Sequence, residues 1–369
     1  MKNIQQVKEK NMKEQRTRKF LPVEGTVRKL GRTKELEEAL WLVYSGTGAE
    51  FIFRGKQLTI TIKGDSTIEE ESMTQARMGI YVNNQRVVDD LIDQRVKKYK
   101  VWNSSEPTEI VVRVVKLSEA SRSMAAIGPL ETDGEGEISP GPKARRLIEF
   151  VGDSITCGYG VDDEVKEHIF ATSTEDVTKT YAYKTAEALD ADYSMVCISG
   201  YGIISGYTDC GVKQPEMTIP QYYEKLGYSH GTYGEGYCAQ EQPWDFTKEQ
   251  PDAIVINLGT NDNSYVLGKT DRQEDYVTNY LEFLKVVRRN NPDAEILCVL
   301  GIMGEELCPC VKQVVESFRA EQHDTHIHYM GFQDQDPADG YVVDWHPTEC
   351  THRKAASRLT EKLKNIMNW

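Results

Sequence analysis

The chain has 369 residues, enough for two domains that each bury a sizeable core. It is 39% hydrophobic and 28% charged, an ordinary globular composition. Its net charge of −14 argues against nucleic acid, whose phosphates need a basic field, and against an anionic membrane surface.

Residues 1–19 are polar and mixed in charge, and read as a lead-in. They carry no apolar signal-peptide core, and no later run is long enough to span a bilayer. From Phe20 to about Leu117 short β-branched or aromatic runs recur, at 51–53, 58–62, 78–82 and 110–115, separated by Gly and Asn turns. Asn83-Asn84 reads as a hairpin tip, because asparagine tolerates positive φ. This spacing predicts an antiparallel β-sandwich of the jelly-roll kind. Residues 131–143 are acidic and rich in Gly and Pro, which predicts an irregular linker. The domains are therefore expected at 1–143 and 144–369.

After Arg146 the texture changes. Apolar runs at 147–151, 194–198, 253–258 and 296–300 alternate with helical patterns at 179–189, 275–290, 311–322 and 351–367. Strand–helix alternation predicts a parallel sheet covered by helices on both faces, a three-layer α/β/α domain. Eight cysteines are scattered, two of them, Cys197 and Cys298, in predicted buried strands. That usage fits a reducing, cytoplasmic setting without a disulfide framework. Cys308-Pro309-Cys310 lacks a second ligand pair at zinc spacing. His326 and His328, near His323, share a strand face as any alternating pair does. No metal site is expected from either.

Four short blocks lie at the ends of predicted strands, which a parallel sheet delivers to one edge. Gly152-Asp153-Ser154 presents a hydroxyl where an apolar strand stops. Ser199-Gly200-Tyr201-Gly202 and Gly259-Thr260-Asn261-Asp262 follow the next two strands. Asp344-Trp345-His346-Pro347 precedes the last helix. Acyl transfer needs a nucleophile, a base and oxyanion donors. Ser154 fits the first role and His346 the second. The Ser154 and Gly200 N–H groups and the Asn261 side chain fit the third. Taken singly each block has a plainer reading: a strand-end turn for Ser154, a residue leading into a helix for His346, a helix cap for Asn261. Asp153 and Asp262 read as structural, their carboxylates accepting loop N–H groups.

This ordered set resembles the SGNH, or GDSL-type, hydrolase superfamily over residues 146–369. The finer resemblance is to carbohydrate esterase family 2. It rests on the run from Gly152 through Ser154 to Gly158-Tyr159-Gly160, on Gly259 to Asp262, on Asp344 to Pro347, and on a preceding β-sandwich. The resemblance implies a serine esterase without metal or cofactor that removes acetyl groups from manno-, gluco- or xylo-oligosaccharides derived from hemicellulose. It also implies a sugar site, for which Trp345, Tyr207 and Tyr201 are the candidate aromatics; a core position is the plainer reading of Trp345. The superfamily places its acid three residues before the histidine, where this chain has Val343. His346 is then oriented either by Asp344, two residues before it, or by a backbone carbonyl in a Ser–His dyad. The same catalytic set serves short-chain lipid esterases and acyl-CoA thioesterases, and an inactive sugar-binding protein is the non-enzyme alternative. Nothing in the sequence speaks to oligomeric state.

Overall fold

A computed structural model describes residues 17–69 and 73–369. The lead-in expected at 1–19 lies outside the described residues except for positions 17–19, of which Arg18 and Lys19 begin a strand.

The N-terminal domain is one continuous antiparallel sheet folded over on itself. Its strands are β1 (Arg18–Phe20), β2 (Arg28–Leu30), β3 (Thr33–Leu36), β4 (Ala39–Leu42), β5 (Gly48–Gly64), β6 (Arg77–Val82), β7 (Gln85–Leu91), β8 (Val96–Lys116), β9 (Ala125–Thr132) and β10 (Glu137–Pro140). The long strands β5 and β8 pair along most of their length, with register shifts near Gly55 and Leu58. On its other edge β5 pairs first with β2 and β10, then with β9. Sharing two bent strands lets ten strands enclose one core, whose centre is Phe51, Phe53, Ile60, Val112 and Ile127. The hairpin expected at Asn83-Asn84 is present, with φ of +49° and +66°. The linker expected at 131–143 is more ordered than its composition suggests. Ser139 and Pro140 pair with Ile52 and Phe51, and Ile138 packs against the core. Backbone pairing to an open edge and one apolar side chain are enough to order a Gly- and Pro-rich segment.

The second domain has five parallel strands: β11 (Leu147–Gly152), β12 (Asp192–Cys197), β13 (Ala253–Asn257), β14 (Glu295–Leu300) and β15 (Ile327–Gly331). Their spatial order is β12-β11-β13-β14-β15. The helices are α1 (Ser154–Cys157), α2 (Tyr181–Ala188), α3 (Thr260–Val266), α4 (Thr270–Asn290), α5 (Cys308–Gln322) and α6 (Glu349–Met367). Alternate strand residues face opposite sides of the sheet. Val151, Ile254, Ile256 and Cys298 pack with Tyr280, Leu284 and Val314 of α4 and α5. Phe150, Met195, Val255 and Val299 pack with Ala182, Leu359 and Leu363 of α2 and α6. These are the three layers that the sequence pattern predicts.

Trp41, Tyr44, Ala120 and Met124 of the first domain belong to the same core cluster as Val151 and Val196. The two domains therefore share buried apolar surface. At β11 the strand order reverses direction. In open α/β sheets such a switch point opens a crevice at the carboxyl ends of the strands. Ser154 follows β11 directly.

Candidate active site

Ser154 opens α1, a single helical turn capped by Asp153, whose Oδ1 accepts the Ile155 N–H at 3.0 Å. Gly158 ends the turn at φ +87°. Gly152 is required here, because a Cβ would stand 2.1 Å from Thr156 Oγ1. Ser154 is 8% exposed. As the first helical residue it has an N–H without an intrahelical acceptor.

His346 reaches the serine from the far end of the chain. Tyr341–Val342 (β16) and His346–Pro347 (β17) form a short antiparallel hairpin. Its turn is Val343–Trp345, of which Asp344 and Trp345 are left-handed, at φ +51° and +62°. The Ser154 hydroxyl donates to His346 Nε2 at 2.8 Å. On the other side of the ring, Nδ1–H donates to the carbonyl oxygens of Val343 and Asp344, each at 3.2 Å. These partners assign the tautomer: Nε2 is the free base. Burial pushes the imidazole down to about 4, which keeps it neutral around pH 7.

The Asp344 carboxylate is not the group that orients the ring. Its Oδ2 accepts from Tyr159 OH at 2.8 Å, because the left-handed backbone turns the side chain away and presents the carbonyl instead. Tyr159 was legible in sequence only as part of the Gly158-Tyr159-Gly160 run. In the structure its ring stacks on His346 with centroids 4.3 Å apart and on Phe170 at 3.8 Å. The imidazole is therefore held by two carbonyls at its edge and an aromatic wall on its face. Gly160 allows this approach, since a Cβ there would lie 1.9 Å from Val343 Cγ1.

Gly200 sits at φ +81° in the loop after β12. Three backbone N–H groups of that loop, from Ile203, Ile204 and Ser205, donate to Asp262, as expected for a structural carboxylate. Burial raises the Asp262 carboxyl to about 6 despite those donors, and Asp153 to about 7. Asn261 Nδ2 donates to Tyr201 O at 2.9 Å and makes a longer contact of 3.3 Å to Asp153 Oδ2. The structure thus brings Ser154 and His346 into direct contact and joins Asn261 to the Gly200 loop and to Asp153.

The three expected aromatics divide. Trp345 is 54% exposed and Tyr207 is 60% exposed. Trp345 is a surface ring, with Lys166 Nζ 3.6 Å from its centroid. Tyr201 is only 6% exposed and packs near Tyr222 and Tyr228, so it offers no open stacking face. His326, just before β15, and His328, within it, are explained by Glu295, whose two oxygens meet His326 Nδ1 and His328 Nε2 at 2.7 Å each. Cys308 and Cys310 open α5. Neither motif contributes to a three-ligand cluster among the described residues.

A parallel sheet with Gly-Asp-Ser at its switch point and an imidazole on the serine defines a GDSL-type hydrolase. The chain belongs to the GDSL-like lipase/acylhydrolase family, whose model matches residues 150–354. Residues 29–142 match the carbohydrate esterase 2 N-terminal domain. A cellulase/esterase of Acetivibrio thermocellus is 32% identical over 342 residues; the match covers 88% of this chain and 38% of that protein. The chain therefore spans well under half of that relative. An acetylxylan esterase / glucomannan deacetylase of Cellvibrio japonicus is 26% identical, over 92% of this chain and 88% of its own length. Among solved structures, a family two carbohydrate esterase from Clostridium thermocellum in complex with cellohexaose superposes with a TM-score of 0.79 at 29% identity. That match covers 93% of this chain and 99% of the other. An acetyl xylan esterase from Butyrivibrio proteoclasticus shares the fold, with a TM-score of 0.84 at 24% identity over 96% of this chain and 99% of its own.

Proposed function

We propose that this chain is a carbohydrate O-acetylesterase that deacetylates hemicellulose-derived oligosaccharides through a serine acetyl-enzyme. The observation that carries this reading is the 2.8 Å contact from Ser154 Oγ to His346 Nε2, on an imidazole whose other nitrogen is already committed to backbone carbonyls. His346 takes the hydroxyl proton as Ser154 Oγ bonds to the acetyl carbon. The carbonyl oxygen becomes an oxyanion, stabilised by the N–H groups of Ser154 and Gly200 and by Asn261, whose long contact to Asp153 is the one it can give up. Collapse breaks the bond to the sugar oxygen, which leaves with the proton from His346. Water, deprotonated by the same imidazole, then attacks the acetyl-enzyme, and acetate departs as Ser154 regains its proton.

The sugar assignment is supported by the relatives' activities and by two exposed rings, Trp345 and Tyr207, able to stack on the apolar face of a pyranose. All eight cysteines are free thiols, in keeping with action in the cytoplasm on short oligosaccharides. Among the described residues, no helix is long and apolar enough to cross a membrane.

The test is acetate release from acetylated manno- and xylo-oligosaccharides by the wild type and by Ser154→Ala, with p-nitrophenyl butyrate and octanoate alongside. Serine-dependent release with poor octanoate cleavage supports the proposal and ranks the backbones. No release from either sugar, with good octanoate cleavage, moves the enzyme to the lipid or thioester class.

A further inference from the structure

We infer that Glu119, contributed by the N-terminal domain, is a positioning residue for the oxyanion loop, so that the catalytic machinery is completed across the domain boundary. The inference rests on the esterase reading of Ser154, Gly200 and Asn261. Glu119 lies in the turn after β8, and its side chain is fully buried. Its Oε2 accepts the N–H of Ser199, the residue immediately before Gly200, at 3.0 Å. Its Oε1 faces Arg122 Nε at 3.4 Å.

The backbone of Glu119 is itself fixed from both sides. Its N–H donates to Glu175 Oε2 at 2.7 Å, and its carbonyl accepts from the buried Lys116 Nζ at 2.6 Å. A carboxylate removed from water persists only when it is matched by donors and counter-charge, and here the donor is an active-site loop amide.

The reason such an anchor matters is local. An oxyanion donor must point where charge develops, yet Gly200 is the residue type whose backbone rotates most freely. Neighbouring peptide planes must therefore hold it. Downstream, Gly200 O accepts the Tyr207 N–H at 2.9 Å, and Asp262 ties residues 203–205. Upstream, the Ile198 N–H reaches Gly152 O at 3.3 Å, and the next N–H, on Ser199, is the one that Glu119 takes. Loss of that bond frees the N–H side of the peptide joining Ile198 to Ser199, and leaves the long 3.3 Å bonds at Ile198, to Gly152 O and from the Tyr201 N–H, as the upstream ties.

The experiment compares Glu119→Ala, Glu119→Asp and Glu119→Gln in the full chain. It reads kcat and KM for p-nitrophenyl acetate, with Ser154→Ala as reference, and amide hydrogen exchange of the segment 198–206. Alanine removes the acceptor and aspartate withdraws it by one methylene. Both are expected to speed exchange of that segment about tenfold and to lower kcat by about 10- to 100-fold, with KM within about threefold. This is less than the roughly 10²–10³-fold effect of deleting an oxyanion donor outright. Glutamine keeps an oxygen for the Ser199 N–H and is expected to restore both readouts to within about threefold. A merely structural role lowers the unfolding midpoint and leaves kcat of the folded fraction unchanged; that result overturns the inference. Unchanged exchange at 198–206 in the aspartate variant overturns it too, and that variant serves if alanine does not fold. If wild type and Ser154→Ala hydrolyse the ester equally, the esterase reading falls, while the exchange data still decide whether Glu119 holds the loop.

Discussion

Asp344→Asn separates a backbone-oriented dyad from an acid-oriented triad. In the structure the carboxylate is exposed, bonded to Tyr159 OH, and not on His346 Nδ1. Asparagine tolerates the left-handed backbone that Asp344 adopts, so the carbonyls of Val343 and Asp344 stay where they are. Its amide oxygen still accepts from Tyr159. What is lost is the charge on one exposed hydrogen bond, at most about 1.4 kcal/mol, which bounds the effect near tenfold. An Asp→Asn change in a true Ser–His–Asp triad costs about 10⁴-fold because the wrong tautomer is selected. The assay is kcat/KM for p-nitrophenyl acetate at neutral pH, with Tyr159→Phe as a control that breaks the same bond but keeps the ring stack. A decrease of about threefold is expected. A decrease of about 10³-fold or more refutes the carbonyl assignment.

Three further outcomes follow from the same geometry. The acid limb of kcat/KM reports His346, whose neutral form is the base, so activity falls as pH drops between its ordinary 6.5 and about 4 and is flat just above 7. The ring's partial exposure argues for the upper part of that interval, and an acid limb above pH 7 counts against His346. Unfolding is the wrong readout for this window. A lowered histidine makes the unfolded chain bind more protons, so its contribution to stability is lost as pH drops, whereas Asp153 and Asp262, raised to about 7 and about 6, bind protons better when folded and add stability as pH drops. Gly160→Ala drives a Cβ into Val343 at 1.9 Å, at φ +61°. It should destabilise by about 2–4 kcal/mol in urea unfolding and displace His346, lowering kcat more than KM. Trp345→Ala should raise KM for acetylated oligosaccharides about tenfold and leave p-nitrophenyl acetate unchanged; equal effects on both would remove Trp345 from the sugar site.

The second domain could be read because β11, β13 and β14 are buried on both faces and so appear as unbroken apolar runs, with helical periods between them. The N-terminal domain was legible in class but not in detail. The runs at 51–53 and 58–62 are one strand, because a register shift near Gly55 bends β5 without ending it. The strand over Glu137–Pro140 was hidden because edge pairing is a backbone interaction that side-chain composition does not report.

By itself the sequence determined the residue chemistry: a hydroxyl, an amide and a glycine at the ends of strands, gathered by a parallel topology that follows from local hydrophobic period, and an imidazole just before the last helix. Only the tertiary structure decided how they are held. The imidazole is oriented by carbonyls, because two left-handed residues turn Asp344 toward Tyr159. The loop at Gly200 is fastened from another domain by Glu119, 80 positions from Ser199. Backbone handedness and contacts between distant segments depend on how the whole chain packs, and no local pattern of side chains encodes them.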